Sequence, residues 1–118
     1  MFNSEKLLVY NKAKEFNLEI KNEILSIEKL DRISKDQLRR ASMSIMLNIA
    51  EGTSRFSKPD KRNFYVIARG STIECVAIID LLTAENVINI ETYNKFYSKA
   101  EEISKMLFAM IRLLETKK

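Results

Sequence analysis

Apolar residues recur along the chain at steps of three and four over four long stretches, with short polar interruptions between them. In the first, Val9, Ala13, Phe16, Ile20, Ile24 and Ile27 fall on one side of a helix spanning residues 4–29. Ser34-Lys35-Asp36-Gln37 has the form of a capping box and predicts a second helix over 35–54, with Leu38, Ser42, Ile45, Ile49 and Gly52 as its core stripe. Ser57 then precedes Pro59 and Asp60 as an N-cap, opening a third helix over 58–85. Its stripe reads Phe64, Ile67, Ala68, Ser71, Cys75, Ile78 and Leu82. Asn89 caps a fourth helix over 90–116, along Tyr93, Phe96/Tyr97, Ala100, Ile103, Leu107, Met110/Ile111 and Leu114. Four such helices with short links predict one all-α domain over residues 1–118, an antiparallel up-down-up-down four-helix bundle.

Two helices are apolar on more than one side. Opposite the stripe of the second helix lie Met43, Met46, Leu47 and Ala50, and the third directs Val66, Ile73 and Val76 away from its own stripe. A helix that is apolar nearly all round is covered nearly all round. Either helix offsets within one chain cover these residues, or another copy of the chain does, which makes a homo-oligomer the expectation.

Composition agrees with helices and narrows the chemistry. Two glycines and one proline are too few for a turn-rich β fold. The absence of histidine removes His-dependent triads and most transition-metal sites, so neither a metal nor another cofactor is expected. A single cysteine, Cys75, forms no intrachain disulfide and suits a reducing compartment. No leader-like segment or membrane-length apolar run is visible, so a cytoplasmic protein is expected, without membrane or small-molecule substrate.

The net charge of +4 is unevenly placed. Between Arg32 and Arg69 nine basic residues stand against Asp36, Glu51 and Asp60, whereas the rest of the chain is slightly acidic. Lys58, Arg62, Tyr65 and Arg69 follow helical spacing on one outer face of the third helix, and Arg55, Lys61 and the Arg39-Arg40 pair extend it. Guanidinium groups match phosphate geometry and an interleaved tyrosine can stack on an unpaired base, so RNA or DNA is a candidate partner. The competing reading is that these arginines pair with Glu51, Glu74 or a neighbouring subunit. Glu51 and Glu74 themselves are expected in a structural polar network with Arg40, Arg69 or Asn48, and no catalytic group is assigned. Gly52 reads as a helix-end glycine, and Gly70 as a site of close helix contact.

Five elements stand out together: Val9-Tyr10-Asn11-Lys12-Ala13, Gln37-Leu38-Arg39-Arg40-Ala41, Asn48-Ile49-Ala50-Glu51-Gly52, the Arg55 and Ser57-Lys58 turn, and Ala68-Arg69-Gly70-Ser71 with Glu74. In these the chain resembles the bacterial 23S rRNA intervening-sequence proteins, also known as the "four helix bundle protein" family. The resemblance covers nearly the whole chain. It implies a four-helix bundle assembled as a ring-like pentamer, without enzymatic activity. Some genes of the family lie within intervening sequences of ribosomal RNA genes. A related branch serves diversity-generating retroelements, where a basic bundle binds nucleic acid and a reverse transcriptase. That branch implies the alternative role of a protein-interaction scaffold or accessory subunit. Met46 and the Lys61-Arg62 pair depart from the family pattern, the latter making this turn more basic.

Overall fold

The computed structural model describes residues 4–115, so the predicted end of the fourth helix at residue 116 lies outside the described residues. It contains helices α1 (Ser4–Glu23), α2 (Arg32–Ser54), α3 (Lys58–Ala84) and α4 (Ile90–Glu115), stacked side by side in a rod 50 × 21 × 20 Å. Consecutive helices run antiparallel. The α2–α3 and α3–α4 pairs make the closest contact, α1–α2 less, and α1–α4 closes the bundle most loosely.

The core follows the predicted stripes of α1, α2 and α4. Val9, Ala13, Phe16 and Ile20 meet Leu38, Ile45 and Ile49 and the α4 residues Phe96, Ala100, Ile103 and Leu107, all fully or nearly fully buried. Phe16 and Phe96 pack edge to face at 5.8 Å, a favoured geometry for aromatic quadrupoles. Tyr97, predicted on the α4 stripe beside Phe96, is instead exposed and stacks on Tyr93.

Three boundaries differ from the sequence pattern. The first helix stops at Glu23, not at residue 29. The helix closes with a wide bond from Leu25 N–H to Ile20 O, and the chain then makes tight turns, Ile27 N–H donating to Ile24 O and Leu30 N–H to Ile27 O. Leu25 and Leu30 thereby cover the end of the core. At the start of α2 the cap is Asp31, not Ser34. Its carboxylate accepts from Ser34 N–H at 2.6 Å and from the Ser34 hydroxyl at 3.1 Å. An anion there also faces the positive end of the helix dipole. The third helix ends at Ala84, where Asn86 takes φ 62° and Val87 N–H bonds back to Leu82 O, a left-handed stop that asparagine tolerates. Ser57 and Asn89 cap α3 and α4 as predicted, accepting from Asp60 N–H and Thr92 N–H.

The buried face of α3 is rotated by roughly 50° from the predicted stripe. Tyr65, Thr72 and Ile79 point inward with Ala68, Ser71, Cys75 and Leu82, while Ile67 is exposed and Phe64 and Ile78 are half-buried. Gly52 lies in the last turn of α2 as predicted, but the close helix contact expected at Gly70 is found at Gly52 instead. Gly52 is buried, and a Cβ there would stand 2.7 Å from Cε1 of Tyr65, so the close approach of helices is at this position. Gly70 faces open space, with nothing within 4 Å of an added Cβ.

Candidate nucleic-acid interface

The basic residues singled out in the sequence divide among three places. Arg39 and Arg40 are exposed on α2, and Arg39 shares a shallow depression with Lys21 and Lys35 at the α1–α2 side. Fifteen residues of helix separate Arg40 from Arg55, a rise of about 22 Å, so they do not extend the same ridge.

The second place is the α2–α3 turn, residues 55–57. Here two of the three cations hold the turn itself. Arg55 pairs with Glu51 at 3.1 Å and lays its guanidinium on the Phe64 ring at 4.6 Å. Lys61 donates to Thr53 O, one of the α2 carbonyls left without a helical partner. Partial burial and the nearby Lys6 charge lower its pKa from the usual lysine value. Lys58 is exposed, as is Phe56, whose ring stands fully in solvent at 101% relative accessibility.

The third place is the outer face of α3 against α4. Arg62, Val66, Arg69 and Ile73 follow steps of four, three and four and lie on one stripe. They line an open groove of about 350 Å³ with Gly70, Phe108, Arg112 and Glu115. Arg62 Nε donates to Glu115 Oε2 at 2.7 Å, and Arg112 lies 4.0 Å from the other oxygen of that carboxylate. The guanidinium groups of Arg69 and Arg112 both lie over the Phe108 ring, at 5.3 and 5.8 Å. Arg69 Nε is buried without a hydrogen-bond partner, as is Arg55 Nε. Three arginines thus face one glutamate on a partly apolar floor. The charge and the apolar floor together suit a planar or polyanionic ligand.

Tyr65 does not belong to this surface, which corrects its placement on the outer face. It is 1% exposed, its ring lies against Gly52, and its hydroxyl hydrogen-bonds Thr53 at 3.0 Å. On a helical wheel Tyr65 and Val66 lie on either side of Arg62, roughly 60° and 40° away, and the core is on the tyrosine's side. Val66 therefore takes the exposed position. Phe108, Arg112 and Phe56 had no place in the sequence pattern. The available signals were a phenylalanine off the α4 stripe with arginine one turn later, and an aromatic residue in a turn between two cations.

The apolar residues proposed for self-association are also divided. Met43, Leu47, Val66 and Ile73 are exposed, the last at 52%, whereas Met46 and Val76 are half-buried against the core and Ala50 is half-covered. For Met46 and Val76 the helices of one chain supply the cover. The Asn48 amide donates to Ser44 O and Oγ, and Ser44 Oγ is 2.9 Å from Ser71 Oγ on α3, a network of serines. Glu51 and Glu74 are exposed and lie outside it, which corrects their placement there; Glu51 is paired with Arg55. Cys75 is buried, and desolvation followed by the neighbouring Glu74 charge pushes its thiol pKa up to about 12, so it is no nucleophile. Among the described residues no group of three or more acidic or thiol side chains is placed to hold a metal, and no helix is long and apolar enough to cross a membrane.

The model of the 23S rRNA-intervening sequence protein family matches residues 5–109, which includes all four helices and the turn between α2 and α3. The chain belongs to this family. A solved family relative has the same fold: a protein of unknown function from the S23 ribosomal protein family of Bacteroides thetaiotaomicron, 28% identical. The similarity covers 92% of this chain and 98% of that one, with a TM-score of 0.85. Among curated proteins none matches. The family match and this structural neighbour carry the fold and the membership; neither names a reaction.

Proposed function

We propose that this protein is a non-enzymatic, self-associating helical bundle that binds RNA or DNA through phosphate contacts, with little sequence specificity. The observation that carries this reading is the cluster of Arg62, Arg69 and Arg112 on one groove, with Glu115 the one acidic residue lining it among the described residues. Exposed ion pairs such as Arg62–Glu115 contribute about 0–1 kcal/mol, so a phosphate can displace the glutamate at little cost. The cations are fixed on two helices, not on a mobile loop, which suits tracking a backbone of regular charge spacing.

The test is binding of a fluorescent RNA over a salt series. Affinity falls steeply with salt, and the log–log slope becomes shallower by about 1–2 in an Arg62→Ala/Arg69→Ala double variant, one phosphate contact being worth about 0.7–0.9 of slope. Affinity unchanged between low and high salt overturns the proposal.

A second reading has its own observation. Val66 and Ile73 alternate with Arg62 and Arg69 on the same stripe, so the groove is as apolar as it is cationic. Such a face also fits a protein, either a second copy or an acidic partner. In that case the chain is a scaffold or accessory subunit, and RNA is not retained at moderate salt.

A further inference from the structure

Phe56 is the most exposed large apolar side chain of the described residues, and its position explains why none of them covers it. It precedes the N-cap Ser57 of α3. A hydrophobic residue at that place often packs against the residue four positions into the helix. Here that residue is Lys61, whose amine is turned to Thr53 O. The ring neither staples the helix nor joins the core. Arg55 precedes it and Ser57 follows, with the exposed Lys58 one residue further; because Arg55 is paired with Glu51, Lys58 is the cation of the turn that faces solvent.

We infer that Phe56 is a stacking residue for an unpaired base, so that the ligand of the α2–α3 turn is single-stranded nucleic acid and not duplex. This rests on the proposed phosphate-binding role and narrows it to one form of the polymer. An exposed phenyl ring between cations matches a strand that presents a π-face and a phosphate at each nucleotide. A duplex hides those faces within its own stack. A contact between two copies of this turn is disfavoured, because it would bring the exposed Lys58 of each copy toward that of the other.

The sequence supplies its own probe site, since it contains no tryptophan. In a Phe56→Trp variant the sole indole reports on the turn. Its fluorescence is quenched by an oligothymidylate and left unchanged by a blunt duplex of equal length. Phe56→Ala weakens oligothymidylate binding by about five-fold to a hundred-fold, and duplex binding by much less. Circular dichroism of both variants matches wild type, as expected for a side chain outside the core. If wild-type protein binds both polymers and Phe56→Ala alters neither affinity, or both equally, the stacking role is overturned while phosphate binding stands. If wild type binds neither, both proposals fall. If Phe56→Ala lowers the mass seen by light scattering, Phe56 is a contact between copies and the stacking role is overturned.

Discussion

The two glycines make opposite predictions for the same substitution. In Gly52→Ala the new methyl stands 2.7 Å from Cε1 and 2.9 Å from Cδ1 of Tyr65, and 3.1 Å from Cβ of Phe64. The tyrosine ring cannot swing aside cheaply, because it is 1% exposed and its hydroxyl is held by Thr53. Overpacking of this kind costs about 1–3 kcal/mol. The helix-propensity gain of alanine over glycine, about 1 kcal/mol at most, is reduced in the last turn of α2. The net effect is a loss of about 1–2 kcal/mol. Gly70 is inside α3 with open space above it, so Gly70→Ala receives the propensity gain without a clash and stabilises by about 0.5–1 kcal/mol. For a chain of this size each kcal/mol moves Tm by about 4 °C, so the two variants melt about 6–12 °C apart on either side of wild type. Thermal unfolding followed by circular dichroism measures both, with light scattering to fix the mass of each sample. A Gly52→Ala protein as stable as wild type refutes the packing account of Gly52. A Gly70→Ala protein that is less stable or smaller in mass refutes the open-space account and places a neighbouring chain over α3.

Two further outcomes follow from the burial of particular groups. The Cys75 thiol resists a disulfide reagent at pH 8 in the native protein and reacts after unfolding. Because its pKa is raised to about 12 against 9.0 in the open chain, the unfolded state loses this proton first. Stability is therefore fully present below about pH 9 and falls as pH rises above it, by up to about 1.4 kcal/mol per pH unit, as denaturant titrations at stepped pH show. The raised pKa of Tyr65 acts in the same direction. On the surface, Ile73→Asp leaves thermal stability within about 0.5 kcal/mol, since its side chain is half in solvent, and lowers the mass seen by light scattering. Unchanged mass removes the α3 groove from the self-association surface.

The fold was legible because three of the four helices carry a core stripe regular enough to fix the facing side, though not every end. Two of the three predicted caps also held: a hydroxyl or amide oxygen at Ser57 and Asn89 can do only one thing before an apolar run. Asp31 was missed because Ser34, a plausible cap, sits one turn later and lends its own N–H and hydroxyl to the aspartate. The facing of α3 was harder to read. Its sequence is apolar over more than half its circumference, so Tyr65 and Val66 compete for the position beside Arg62, and only packing against Gly52 decides between them. That one decision removed the aromatic from the cationic ridge. The ridge itself was half legible. Spacing along one helix placed Arg62 and Arg69 together, but nothing along the chain brings Phe108, Arg112 and Glu115 to them. Turn cations were overcounted because charge alone does not distinguish Lys58 from Lys61, whose amine closes the end of α2.

The seam between α1 and α4 bears on how the molecule comes apart. These helices meet least, and charged pairs bridge them along the rod: Lys12–Glu102, Lys95–Glu23 and Lys99–Glu19. Salt weakens such pairs, whereas the contacts of α2, α3 and α4 are mainly apolar. Val9, Ala13, Phe16 and Ile20 nevertheless anchor α1 in the core, so salt loosens this seam without removing the apolar hold on the helix. The Phe16–Phe96 contact lies across the seam, so an opening there exposes an aromatic ring of α4.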